Sequence, residues 1–249
     1  MRPNISVLIP SRGRPAELDE TLRLLLKNCK RKQEIEVLVR VDEDDAETQS
    51  MMGKWKNLKV FVGEQVGYEN LHILYNDLAK EACGKWLFLL ADDAKVETSG
   101  WDRLITGIKD RICVIKFEDC WRPGPQFPCF PIVPRTVYEV LGHLSLNPNC
   151  GLWLDEVVRQ RAGFALKYFE RATIQHCKPR LGLDSAAKEL LNETFVDFYS
   201  LESEEQRNQD AKKLLDFYSK QPVVEPKSEL VERKLDAISR RWLLSSINR

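Results

Sequence analysis

Acidic side chains in this 249-residue sequence gather at two places where an apolar run stops. Asp42, Glu43, Asp44 and Asp45 follow the stretch EIEVLVRV, and Asp92 and Asp93 follow KWLFLLA, the most apolar run of the chain. A carboxylate ending a buried run is costly unless it is hydrated or neutralised by a cation. For one such Asp a turn cap is the simpler reading; two clusters at matching positions favour a ligand site. A third group, Ser11-Arg12-Gly13-Arg14-Pro15, ends the run Ile5–Pro10. Glycine permits close backbone approach there, Pro15 suits a first helical turn, and two arginines stand beside a helix N-terminus, a combination that suits an anion. His176 closes the run TIQH. Alone it reads as a hydrogen-bonded loop residue; joined to a carboxylate pair and completed by diphosphate oxygens, it gives a mixed nitrogen and oxygen site for Mn2+ or Mg2+. Asp155 and Glu156 lie early in a helical pattern. They either complement the helix dipole or supply a general base beside a cleft. His72 and His143 read as structural.

The elements that position these groups alternate. Strand patterns at Ile5–Pro10, Glu34–Val41, Leu58–Val62 and Lys85–Ala91 are separated by helical patterns at Ala16–Cys29, Ala46–Trp55 and Tyr68–Cys83, the last ended by Gly84. This order predicts right-handed βαβ units and an α/β fold with a mostly parallel sheet flanked by helices. In such a sheet ligands bind beyond the carboxyl ends of the strands, which is where both acidic clusters fall. After Gly100 the pattern loosens. Arg111–Phe117 reads as a strand, and the five prolines between Trp121 and Pro134 as a loop with one extended piece at Phe130–Val133. Arg135–Gly142 and Leu152–Gly163 read as helices, and Ala165–Phe169 and Ala172–His176 as two short strands. From Ser185 onward the sequence is helical and charged, over Ser185–Tyr199, Ser203–Lys220 and Lys227–Ile247. A boundary near Leu183 divides a domain at 1–183 from a helical C-terminal extension at 184–249.

Composition narrows the classes. Lys and Arg number 38 and Asp and Glu 38, so the net charge is zero, which argues against a dedicated nucleic-acid binder. No run is long enough to span a bilayer, and the N-terminus lacks the features of a signal peptide. Seven cysteines without a C-x-x-C pair point to reduced thiols and a cytoplasmic location. The phosphate motifs G-x-x-x-x-G-K-[ST] and G-x-G-x-x-G are both absent.

Four segments carry a resemblance. ISVLIPSRGRPAELDETLRLL, VLVRVDEDDAET, GYENLHILYNDLAKEACGKWLFLLADD and KVETSGWDRLI occur in that order. Over Ile5 to His176 the chain resembles the family 2 glycosyltransferases with a GT-A fold, in particular small, phage-like members. The resemblance implies an enzyme that moves a sugar from a nucleotide-sugar donor to an acceptor hydroxyl with inversion. It implies that Pro10, Ser11, Arg12 and Arg14 line the nucleotide pocket, that Asp42 bonds the base with help from Asp44, and that Asp92 contacts ribose or metal. Asp93 and His176 would hold Mn2+ or Mg2+, and Asp155, or Glu156 if the register is off by one, would be the catalytic base. Two departures stand out: Leu90 replaces a frequent aspartate, and Tyr75 replaces a frequent arginine before Asn76. A phosphate-facing cation would then come from Arg12, Arg14 or Lys178.

The expected partners are a nucleotide-diphosphate sugar and a glycan, lipid-linked or protein acceptor. Trp101, Trp121 and Trp153 are either sugar-stacking surfaces or core. The rival readings are a sugar-nucleotide nucleotidyltransferase, which would need a more glycine-rich loop than Ser11–Pro15, and a non-catalytic sugar-nucleotide or carbohydrate-binding protein. Lys227–Arg249 has the pattern of a basic amphipathic helix, fit for the main domain, a homodimer contact or a membrane surface.

Overall fold

A computed structural model describes residues 3–109, 112–120, 122–176 and 193–220. Eight strands form one sheet in the order β3-β2-β1-β4-β7-β6-β8-β5. They are β1 (Ile5–Ser11), β2 (Ile35–Asp42), β3 (Lys59–Gly63), β4 (Trp86–Leu89), β5 (Ala94–Val96), β6 (Cys113–Asp119), β7 (Ile132–Pro134) and β8 (Ala165–His176). The helices are α1 (Pro15–Asn28), α2 (Ala46–Met52), α3 (Leu71–Glu81), α4 (Trp101–Thr106), α5 (Arg135–Leu141), α6 (Cys150–Leu154), α7 (described over 193–198) and α8 (Leu201–Ser219).

The sheet is mixed. Pairings β1–β2, β1–β4, β2–β3 and β6–β8 are parallel, while β4–β7, β6–β7 and β5–β8 are antiparallel. Because β7 is reversed between β4 and β6, strands β6 and β8 point the same way as β1, β2 and β4. Strand β3, parallel to β2, points that way too, so six carboxyl ends from segments far apart in sequence share one edge.

Both faces of the sheet are buried, which is why its strands read as apolar runs. Ile5, Val7 and Ile9 face a core with Leu18, Leu22 and Leu25 of α1, Met51 and Met52 of α2, and Trp101 and Ile105 of α4. Leu8, Leu38, Leu87 and Leu89 face a second core with α3, α5 and α6, and Phe198 of α7 and Ala211 and Leu214 of α8 join it. Asp210 of α8, fully buried, meets His143 at 3.3 Å and ties α8 to the residue after Gly142. Among the described residues no helix is long and apolar enough to cross a membrane.

Several expectations change. Ala46–Trp55 is helical only to Met52, where Gly53 follows. The Tyr68–Cys83 pattern splits into a 3-10 turn at Tyr68–Asn70 and then α3. Gly84 is no helix cap, since the C-cap is Ala82 in an extended conformation. Its role is steric: a Cβ there would lie 2.5 Å from the backbone nitrogen of Ser6. The two short strands after Gly163 are one strand, β8, that absorbs a register shift against β6 beyond Phe117. Short β5 was unexpected. The helix at Asp155 is a π-helix over Asp155–Arg161, reached from α6; such turns are rare and recur at functional sites. Trp101 and Trp153 are buried, so neither offers a face to a sugar, and Trp121 lies outside the described residues, as do Leu183, residues 185–192 of the first C-terminal pattern and Lys227–Ile247.

Glu36 closes the turn beside Gly84. Its Oε1 accepts from Ser6 Oγ at 2.5 Å and from the amides of Cys83 and Gly84 at 2.5 and 3.1 Å, and its Oε2 meets Lys59 at 2.8 Å. Burial pushes this carboxyl up, but the bonds from Lys59, Ser6 and Cys83 more than offset it and leave the pKa below the ordinary carboxylate value. A lowered folded pKa contributes stability above the unfolded value that is lost as pH falls through the folded one. Glu36→Gln should therefore cost about 2 kcal/mol in urea denaturation at pH 7, and the gap to the unmodified chain should close once the pH drops below the ordinary carboxylate range. Gly84→Ala should cost about 1–3 kcal/mol by overpacking, at every pH in the same titration.

Candidate active site

Strand order sets the location. From β1 the chain steps to β2 and β3 on one side, and β4 lies on the other. A crevice opens at such a reversal, outside the carboxyl ends of the strands. The β1–β4 pairing stops at Leu8 and Leu89, so β4 withdraws just before Pro10, and Pro10 sits buried in a central strand where its missing N–H breaks no rung to β4.

Register then places the side chains. Continuing the β1–β4 pairing puts Ser11 opposite Asp92, and Ser11 Oγ donates to Asp92 Oδ2 at 2.8 Å. Continuing the β1–β2 pairing puts Arg12 opposite Asp42, and Arg12 Nη1 donates to Asp42 Oδ2 at 3.0 Å. Arg12 also forks onto Asp44, with Nη2 to Oδ2 at 2.8 Å; this bond holds the Asp44 carboxyl below its usual range. Asp45 has a local task. It caps α2 by accepting from the Thr48 amide at 3.2 Å, and it accepts from the Gly13 amide at 2.6 Å. Gly13 turns with φ +65°, in the region where glycine is free of strain. Asp42 is buried beside Arg40 at 3.6 Å.

Asp92 and Asp93 are both buried. Thr21 Oγ1 donates to the Asp92 carbonyl at 2.8 Å, and half-exposed Arg14 lies 3.5 Å from Asp92 Oδ1 and 3.2 Å from Asp93 Oδ2. Burial pushes Asp92 up to about 6 against the bond from Ser11 and the charge of Arg14, with Asp93 adding to the rise. The antiparallel β5–β8 pairing sets Ala94 against His176. That register carries the imidazole to the carboxylate before Ala94, and His176 Nε2 is 3.4 Å from Asp93 Oδ1. Phe130 meets the imidazole edge to face, centroids 5.0 Å apart.

The edge thus gathers Pro10, Ser11, Arg12, Arg14, Asp42, Asp44, Asp92, Asp93 and His176. Asp155 and Glu156 belong to the π-helix instead. Asp155 is fully buried; its oxygens accept from Arg159 Nε and Nη2, both at 2.6 Å, and from Gln160 at 2.9 Å. Glu156 pairs with Arg161 at 3.3 Å. Tyr75 donates to the Leu90 carbonyl at 3.2 Å and braces the end of β4, while Asn76 binds the backbone of Leu144 and Ser145. Both residues are absorbed in structure; among the described residues Arg14 is a cation that faces Asp92 and Asp93, and Lys178 lies outside them.

Sequence reading missed a third acidic strand end, Glu118-Asp119 on β6, although VIKFED repeats the signal of an apolar run closing in acids. These two residues shape the loop that follows. Asp119 accepts from the Arg122 amide at 2.6 Å and pairs with buried Lys116 at 3.7 Å, and Lys116 donates to the Arg122 carbonyl. Glu118 accepts from Tyr168 and from the Gly124 amide. Further along, the Pro128 carbonyl lies so close to Gly151 of α6 that a Cβ there would come within 2.1 Å of it.

Among the described residues no three His, Cys, Asp or Glu side chains are grouped to hold a metal. Asp93 and His176 are a pair, one oxygen and one nitrogen donor, next to a second buried carboxylate.

No protein-family model matches the sequence, and no curated protein matches it. Solved structures do. A structure of Staphylococcus aureus TarS residues 1–349 is similar over 98% of this chain and 79% of its own, at 14% identity and a TM-score of 0.57. The mannosyltransferase PcManGT of Pyrobaculum calidifontis, in complex with GDP-Man and Mn2+, is similar over 100% of this chain and 80% of its own, at 12% identity and a TM-score of 0.59. TarS 1–349 in complex with UDP-GlcNAc is similar over 87% and 73%, at 14% identity and a TM-score of 0.54. The chain spans 44% of a longer TarS structure. The chain shares the α/β fold of these proteins, a mixed eight-stranded sheet flanked by helices.

Proposed function

We propose that the chain is a glycosyltransferase that uses a nucleotide-diphosphate sugar, with inversion at the anomeric carbon. One observation carries this reading: residues from β1, β2, β4 and β8 converge at the reversal point of the sheet, with two arginines and a buried carboxylate pair. Arg12 and Asp42 would bind the nucleoside end, and Ser11 and Asp92 the ribose. Arg14 would meet the diphosphate, since a guanidinium presents paired donors to phosphate oxygens. The solved structures with GDP-Man and UDP-GlcNAc support a donor of this class.

Asp93 and His176 would hold a divalent cation. A carboxylate and an imidazole beside buried Asp92 fit Mn2+ or Mg2+, the remaining positions being left to phosphate oxygens and water. When bound, such an ion supplies neutralisation of the leaving diphosphate. Asp155 is the proposed general base for a glycan, lipid-linked or protein hydroxyl, with Glu156 as the alternative. Arg159 and Gln160 occupy the Asp155 oxygens, so an acceptor hydroxyl reaches that carboxylate only by exchanging with one of them.

A thermal-shift panel of nucleoside diphosphates and nucleotide sugars, each with and without Mn2+, tests the donor site. A cognate donor at 100 times its Kd should stabilise the fold by about 2.7 kcal/mol, and Asp93→Asn should remove the Mn2+-dependent part. A panel in which no nucleotide sugar shifts the midpoint would reject the proposal. Asp155→Asn should lower sugar transfer by about 10²–10⁴-fold with the donor shift retained. Unchanged transfer with a lower melting temperature would make Asp155 a structural clamp, and the same assay on Glu156→Gln would then decide the alternative.

A further inference from the structure

Arg40 lies two residues before Asp42 on β2, so both side chains leave the same face of the strand. The Arg40 side chain is 9% exposed and that of Asp42 5%. A guanidinium taken out of water needs a counter-charge and partners for its donors. Arg40 Nη1 lies 3.6 Å from Asp42 Oδ1, and it donates to the carbonyl of Val41 and, at 3.1 Å, to that of Gly63. Nη2 donates to the Glu64 carbonyl at 2.9 Å. These bonds fall where the sheet runs out. Strand β3 is an edge strand, and its pairing with β2 ends at Asp42 and Gly63. Glu64 is the first residue beyond that ladder, and Arg40 ties its carbonyl to β2. Gly63 leaves the room for this: a Cβ there would come within 2.5 Å of Arg40 Nη2 and 2.9 Å of its Cζ.

Asp42 thus stands between two arginines of unlike freedom. Its Oδ2 accepts from Arg12 at 3.0 Å, and its Oδ1 faces Arg40. The Arg12 side chain is 42% exposed and shared with Asp44, so a ligand can draw it away. Arg40 is buried and bonded to three carbonyls, so it stays. A carboxylate recognises a ligand donor by keeping its lone pairs aimed, and one locked by buried partners does so at a lower ordering cost than one free to turn.

We propose that Arg40 is a positioning residue for nucleotide binding: it fixes the Asp42 carboxylate and the Gly63 and Glu64 carbonyls as one wall of the nucleoside subsite. The proposal rests on the reading of Asp42 as the nucleoside contact. Isothermal titration calorimetry of the full chain with UDP, GDP, ADP and CDP tests it, with circular dichroism to confirm that each variant is folded. Lysine keeps the charge but is a point donor that cannot span three carbonyls as a planar guanidinium does. Arg40→Lys should weaken binding of the nucleoside diphosphate that the unmodified chain takes by about tenfold, the worth of one hydrogen bond to a charged group. Gly63→Ala keeps the arginine but displaces it, and it should lower affinity for the same ligand. In an Asp42→Asn background Arg40→Lys should cost nothing further, since residues that act through one another are not additive. Unchanged affinity in Arg40→Lys or in Gly63→Ala would overturn the proposal. So would an Arg40→Lys loss of equal size with and without Asp42, the mark of a structural tie that acts elsewhere. If none of the four nucleotides binds the unmodified chain, the donor reading fails and the role of Arg40 with it; if one binds and Arg40→Lys leaves it unchanged, the role of Arg40 alone fails.

Discussion

Buried negative charge where β4 leaves β1 governs the arrangement of this molecule. Asp92 and Asp93 stand almost out of water, which proteins tolerate only when polar partners converge. Here they do: Ser11 from the end of β1, Arg14 from the N-cap of the helix after it, and His176 from the end of β8. The partners come from two stretches far apart in sequence, the turn after β1 and the end of β8, so the pair is a meeting point of the fold. Sheet topology makes the meeting possible. A single reversed strand, β7, keeps β6 and β8 parallel to β1, and short β5 then folds back on β8 and brings His176 to Asp93.

How far the site could be read from sequence follows from the reach of each cue. Residues that end strong apolar runs were legible, because burial on both faces of the sheet writes itself as continuous hydrophobicity; this gave Ser11, Asp42, Asp92 and Asp93 and the central strands. Three-residue β5 was not, since AKV is too short to show a period. His176 taken alone reads as a hydrogen-bonded loop residue; the resemblance paired it with Asp93, and the β5–β8 register is what brings the two within 3.4 Å. Glu118 and Asp119 carried the same cue as the other clusters, in the short gap between the strand expected at Arg111–Phe117 and the proline-rich loop that starts at Trp121. The π-helix at Asp155 escaped as well, because its wider turn leaves nearly the same apolar spacing as an α-helix over a few residues.

The helices of the second core show a different logic. Asp210 and His143 form a buried contact between α8 and the end of α5, and Arg207 lies 4.0 Å above the Phe198 ring with Nη1 donating to the Phe198 carbonyl. Polar side chains thus act as locating pins between elements that apolar packing alone would leave free to slide. Asp155 with Arg159 and Gln160 is also a buried polar cluster, but one closed within a single π-helix, which is why its place in chemistry and its place in architecture need separate measurement.

The contact of Gly151 with the Pro128 carbonyl bears on how such a protein diverges. Position 151 has no room for any other residue while the proline-rich loop holds its path, and that path is set by Lys116, Asp119 and Glu118 on β6. Drift in the loop and drift at the start of α6 are therefore not independent. A lineage that lengthens or redirects the loop gains freedom at 151 in the same step, so variation on this side of the cleft should arrive as linked pairs of changes.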